Sequence, residues 1–217
     1  VCIGGGCASA RAQPLTVVHR STVTLPASTI DQHGALFTIA GLSGIAYAGP
    51  SPTPGHDRFL AVMDNSDKLI VIDAAITADG AISAATVIGG ITLDQSADFE
   101  DIAFDVSGAH VLLCEEGAPS VRAFDPATGS TGVILPIPPV FAARRDNFGF
   151  EALAAAQGIV WTGNEEALTV DGPAALVDAA LHPRVELRAQ DALHAAVTEV
   201  DLAAFDDADY ALLVRKA

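Results

Sequence analysis

Six of the eight glutamates in this chain, Glu100, Glu115, Glu116, Glu151, Glu165 and Glu166, border short apolar runs. Charges that serve only solubility usually sit in turns, so this placement asks for a chemical reason. Carboxylates brought close together repel one another unless a shared proton or a bound cation compensates them. Calcium takes six to eight oxygen ligands from carboxylates, amides and backbone carbonyls. A set of acids at strand ends could supply all of these.

The same acids recur in register with an internal repeat. Gly41-Leu42-Ser43-Gly44-Ile45-Ala46 matches Asp98-Phe99-Glu100-Asp101-Ile102-Ala103, which matches Gly149-Phe150-Glu151-Ala152-Leu153-Ala154. A fainter copy is Val197-Thr198-Glu199-Val200. Each of the first three is followed by an apolar strand ending in acid or amide: Asp64-Asn65, Glu115-Glu116, and Asn164-Glu165-Glu166. The spacing is 57 residues from Ser43 to Glu100, 51 on to Glu151 and 48 on to Glu199. A period near 50 with several strands per unit is what a propeller blade requires.

The elements that must position these acids read as short strands. Candidates are 37–40, 44–48, 59–64, 69–74, 82–93 (one strand or two), 99–105, 110–115, 120–125, 132–137, 150–155 and 159–162, then 185–189, 197–202 and 210–215. Turn chemistry such as Asp79-Gly80, Ser107-Gly108 and Asp125-Pro126-Ala127-Thr128-Gly129 separates many of them. A short helix is expected only at 173–181. The expectation is therefore an all-β protein, a β-propeller with about four blades visible. Equivalent positions of successive blades are related by rotation about the propeller axis. The repeated carboxylates should then converge on one ring, with Asp64, Glu100, Glu115, Glu151 and Glu165 as metal ligands and calcium as the expected ion.

Nucleophilic signatures are missing. Gly41-Leu42-Ser43-Gly44-Ile45 places Ile45 where G-x-S-x-G needs glycine, so Ser43 reads as the counterpart of Glu100. No H-E-x-x-H, P-loop or paired-histidine motif occurs among the six histidines. Cys114 follows three apolar residues and reads as a buried, inert thiol. Arg144-Arg145, just ahead of Asn147 and Glu151, could meet a substrate phosphate or neutralise the glutamates by salt bridges.

Several of these runs resemble the family called "esterase-like activity of phytase", the phytase-like domain. They are Gly41 to Tyr47, Phe99 to Ala103, Glu115-Glu116 with Pro119 to Asp125, Asn147 to Ala154, and Asn164-Glu165-Glu166-Ala167-Leu168 with Asp171-Gly172-Pro173. The resemblance runs from about Leu36 to the C-terminus. It implies a secreted or periplasmic propeller, associated with cleavage of esters and phosphate esters. The family pattern continues with further blades beyond Leu213-Val214-Arg215, so an incomplete propeller is expected.

Two functions are compatible with this resemblance. In one, the chain is an exported hydrolase whose calcium polarises an ester oxygen and activates water. Glu116 or Glu166 would then be the general base, and Arg144, Arg145, Asn147 and Asn164 would contact a small-molecule ester or phosphate ester. In the other, the propeller is a calcium-stabilised binding or scaffold module without turnover. The doubled acids favour the first and the missing nucleophile favours the second.

Composition narrows the partners. The 217 residues carry 27 acidic against 11 basic side chains, a net charge of −16, with half the residues hydrophobic. That excludes intrinsic disorder and binding to nucleic acid through phosphate neutralisation, since the chain has two lysines, Lys68 and Lys216. The longest uncharged stretch, Gly34 to Gly55, is interrupted by prolines and glycines, so no spanning helix is expected. Residues 1–12 end in Ala10-Arg11-Ala12, an A-x-A pattern read as the tail of a signal peptide, leaving 13–217 as a monomeric propeller domain.

Overall fold

The computed structural model describes residues 18–172, and nearly all of them lie in or between strands. A short hairpin, β1 (Ser28–Ile30) and β2 (Leu36–Thr38), comes first. Next is a four-stranded antiparallel sheet of β3 (Leu42–Pro50), β4 (Asp57–Met63), β5 (Ser66–Ile76) and β6 (Ile82–Ala97). A second such sheet holds β7 (Phe99–Phe104), β8 (Val111–Glu115), β9 (Ser120–Phe124) and β10 (Thr131–Leu135). A hairpin of β11 (Phe150–Ala156) and β12 (Ile159–Asn164) follows.

Each four-stranded sheet is a meander in chain order, the form of a propeller blade. The first strands lie together: β7 packs on β3, and β11 packs on β7. The fold is an all-β propeller, with two complete blades and the first two strands of another among the described residues.

The apolar runs follow from burial on both faces, the pattern of a sheet covered above and below. All five residues of β8 are buried. Val111 and Leu113 point into a core shared with Leu60, Val62, Leu69, Ile102 and Phe124. Their neighbours Leu112 and Cys114 point the other way, to Val121, Phe150 and Leu153. Phe99 and Phe124 meet edge to face at 5.7 Å between centroids, as do Phe141 and Phe150 at 4.9 Å. Burial pushes the Cys114 thiol up to about 12, as an inert core cysteine requires.

Strand expectations between 37 and 162 correspond to β2–β12, with ends moved by a few residues. The stretch 82–93 is part of one strand, β6, in which pairing skips Ile88. The hairpin strand β1 was not foreseen: its three residues are too few for a pattern. Two 3-10 turns, Pro139–Ala143 and Thr169–Asp171, were not foreseen either. The leader at 1–12, the helix at 173–181 and the strands at 185–189, 197–202 and 210–215 lie outside the described residues. No helix among the described residues is long and apolar enough to cross a membrane.

Candidate functional site

Three equivalent places in the chain build the site. At the entry to each unit, a backbone N–H from the end of the second strand donates to a carbonyl just before the first: Asp64 to Gly41 at 2.7 Å, Glu116 to Asp98 at 2.9 Å, Glu165 to Gly149 at 2.9 Å. These pairs make Asp64, Glu116 and Glu165 structural equivalents. One step into the first strand, the pairing register shifts in all three units. It shifts between Leu42 and Gly44, between Phe99 and Asp101, and between Phe150 and Ala152. Ser43, Glu100 and Glu151 are therefore bulge residues. A bulge leaves one residue unpaired and re-aims its side chain, a device common beside functional sites.

The bulges bring carboxylates together. Oxygens of Asp64, Asp98 and Glu100 lie within 4.8 Å of one another, and so do those of Glu100, Glu116 and Glu151. Glu100 belongs to both groups. The two groups together hold five carboxylates, and the charge of Glu165 acting on Glu151 adds a sixth. No Lys, Arg or His among the described residues forms an ion pair with any of the six.

The electrostatic consequence is plain. Burial, then the hydrogen bond and charge of Asp64, then Glu116, push the Asp98 carboxyl up to about 7. Burial and the charges of Glu151, Asp64, Asp98 and Glu116 push Glu100 up to about 7 as well. Glu151 is raised by burial first, then by Glu165, Glu116 and Asp64. Without a cation, this cluster holds protons at neutral pH.

The neighbouring acids behave differently, which corrects one expectation. Glu115, read as a metal ligand, faces away from the cluster. Its Oε2 accepts from Ser120 Oγ at 2.8 Å and forms an ion pair with Arg122 at 3.0 Å. Glu116, read as a general base, is the residue that enters the cluster; it is 3% exposed and accepts from Gly149 N–H at 3.3 Å. Glu115 closes β8 and keeps that strand's alternation, whereas Glu116 opens the turn that follows and reaches the cluster from there. Glu166 stays outside the cluster, 3.6 Å from Arg145 Nε.

The basic pair braces the backbone. Arg144 donates from Nε to the Glu116 carbonyl at 3.0 Å and from a terminal nitrogen to the Gly117 carbonyl. Arg145 donates to the carbonyls of Ala167, at 2.9 Å, and Gly172. Asn147 occupies an exposed left-handed turn position, φ 59°. The side-chain oxygen and nitrogen of Asn164 are both buried without a hydrogen-bond partner among the described residues. Ser43 occupies the bulge of its own unit and donates from Oγ to the Phe99 carbonyl at 2.9 Å.

Asp98 was missed by sequence reasoning. Its equivalents in the repeat are Gly41 and Gly149, so recurrence carried no signal for it.

The family described as esterase-like activity of phytase matches residues 38–217. The chain belongs to this phytase-like family. Among solved structures, this phytase-like chain is similar to glutaminyl cyclase of Myxococcus xanthus, with TM-score 0.40 and 14% identity, covering 60% of this chain and 53% of that one. It is also similar to YCF48 bound to D1 peptide, with TM-score 0.35 and 16% identity, covering 63% of this chain and 43% of that one. It spans about half the length of each. No curated protein matches it.

Proposed function

We propose that this phytase-like propeller is an exported, divalent-cation-dependent hydrolase of small esters or phosphate esters, with calcium as its ion. The carrying observation is the convergence of six carboxylates from three successive units, with no positive side chain among the described residues paired to any of them. An all-oxygen, strongly anionic donor set suits a hard cation better than a soft one. Asp64, Asp98, Glu100, Glu116, Glu151 and Glu165 would hold it. The bound ion would supply Lewis-acid polarisation of the ester oxygen and a more acidic water.

The chain's own residues have separate tasks in this reading. Asp98 and Glu100, raised to about 7, release protons as the cation enters. Glu166 is a carboxylate outside the ligand set, oriented by Arg145, and it takes the proton from water as general base. Arg144 and Arg145 hold the segments carrying Glu116 and Glu166 in place through backbone carbonyls. The ester class comes from the family resemblance. Export fits the weak calcium affinities of extracellular modules, with Kd of about 10⁻⁴–10⁻³ M.

One observation favours the binding-module alternative. Ser43, the hydroxyl equivalent in position to Glu100 and Glu151, is committed to a backbone carbonyl and offers no nucleophile. Turnover of aryl phosphate and aryl carboxylate esters by the 217-residue chain, with calcium and then with chelator, separates the two. The hydrolase reading expects calcium-dependent turnover of at least one class, reduced at least 100-fold in Glu166→Gln. Calcium binding without turnover of either class would leave the module.

A further inference from the structure

Asp101 stands beside the acid cluster but serves a different purpose. Its Oδ1 accepts from its own neighbour, Ile102 N–H, at 2.8 Å. Its Oδ2 crosses to the next unit and accepts from Leu153 N–H at 2.7 Å. Strands β7 and β11 belong to different sheets and share no ladder. The inner edge of a blade's first strand would otherwise present unpaired N–H groups. The Asp101 carboxylate supplies one of them with a charge-assisted partner, fixed at both oxygens.

The position of this bracket matters more than its strength. Asp101 follows Glu100, and Leu153 lies two residues beyond Glu151, so the tie joins the two bulges whose carboxylates meet. The equivalent positions in the other units are Gly44 and Ala152. Gly44 is itself packed against Asp101: a Cβ there would lie 2.5 Å from Asp101 Oδ1 and 2.7 Å from its Cα. The β3–β7 junction uses Ser43 to the Phe99 carbonyl instead. A carboxylate bracket therefore occurs where Glu100 must be aligned with Glu151.

We propose that Asp101 is a positioning residue that sets the spacing of Glu100 and Glu151, and so the cation affinity of the cluster, through its bond to Leu153 N–H. This rests on the reading of the cluster as a calcium site. It makes Asp101 a determinant of affinity without being a ligand.

The test compares the full chain with Asp101→Ala and Asp101→Asn, by calorimetric calcium titration and by amide hydrogen exchange at Leu153. Asp101→Ala should weaken calcium binding at least tenfold while remaining folded, and should speed Leu153 exchange. Asp101→Asn, whose amide oxygen can still accept from Leu153, should stay within about threefold of wild type in both. A purely structural role would lower the melting temperature of Asp101→Ala and leave the affinity of the folded protein unchanged, which overturns the proposal. Equal losses in both variants would show that charge, not the bracket, matters, and would also overturn it. Asp101→Ser replaces the alanine variant if that does not fold. If wild type takes up no calcium, the site reading fails; unchanged Leu153 exchange in Asp101→Ala then overturns the bracket separately.

Discussion

Glu100 shares a space of 4.8 Å with the oxygens of two different pairs of carboxylates. Its pKa of about 7 and that of Asp98 have a defined sign in stability. Both are raised above their unfolded values, so the folded protein binds protons that the unfolded chain has already lost. Stability is then fully present below about pH 4 as far as these groups are concerned, and falls as pH rises through about 7. Asp31 and Asp105, held at about 2, act in the opposite sense: the stability they contribute is present above about pH 4 and is lost only as pH falls through about 2. In chelator, the melting temperature should therefore drop between pH 5 and pH 8. Glu100→Gln should flatten that drop and raise the melting temperature at pH 8, because it removes one of the repelling charges. A variant less stable than wild type at pH 8 in chelator would contradict this.

At the scale of elements, the bulge does the aiming. Sequence spacing showed that glutamates recur with the repeat, because recurrence survives in residue types. It could not show which of two adjacent glutamates faces the site. Glu115 is the last residue of β8 and Glu116 the first of the turn, so which of them faces the site depends on where the strand ends. Hence Glu116 rather than Glu115 enters the cluster, while Glu100 and Glu151 reach it from the bulges themselves. The turn into β11 adds a further constraint. A Cβ at Gly149 would overlap the Glu116 carbonyl oxygen, which is held in turn by Arg144. Gly149→Ala should cost about 2 kcal/mol of stability, as overpacking against fixed backbone does, and denaturant unfolding measures it. A cost near zero would mean that the two units can part at that point.

For the molecule as a whole, blade architecture was legible because short apolar runs recur along the chain, some of them, as in β8, filling a strand buried on both faces. The hairpin of β1 and β2 was less so. Its place depends on distant contacts, such as Gln32 bonding to the backbone of Thr92 and Thr128, which no local pattern encodes. The net charge of −16 also takes on structure at this scale. Part of it is gathered from three units into one small volume, where repulsion opposes the packing of each blade on the next. A cation would convert that repulsion into a link between blades. The most direct measurement is a calorimetric titration of the full chain with calcium at pH 8. Saturable binding with proton release is expected, reduced at least tenfold in affinity by Glu100→Gln and unaffected by a change at Asp79, which lies in the turn between β5 and β6 and outside the acid cluster. Absence of binding, or binding that Glu100→Gln leaves intact, would contradict it.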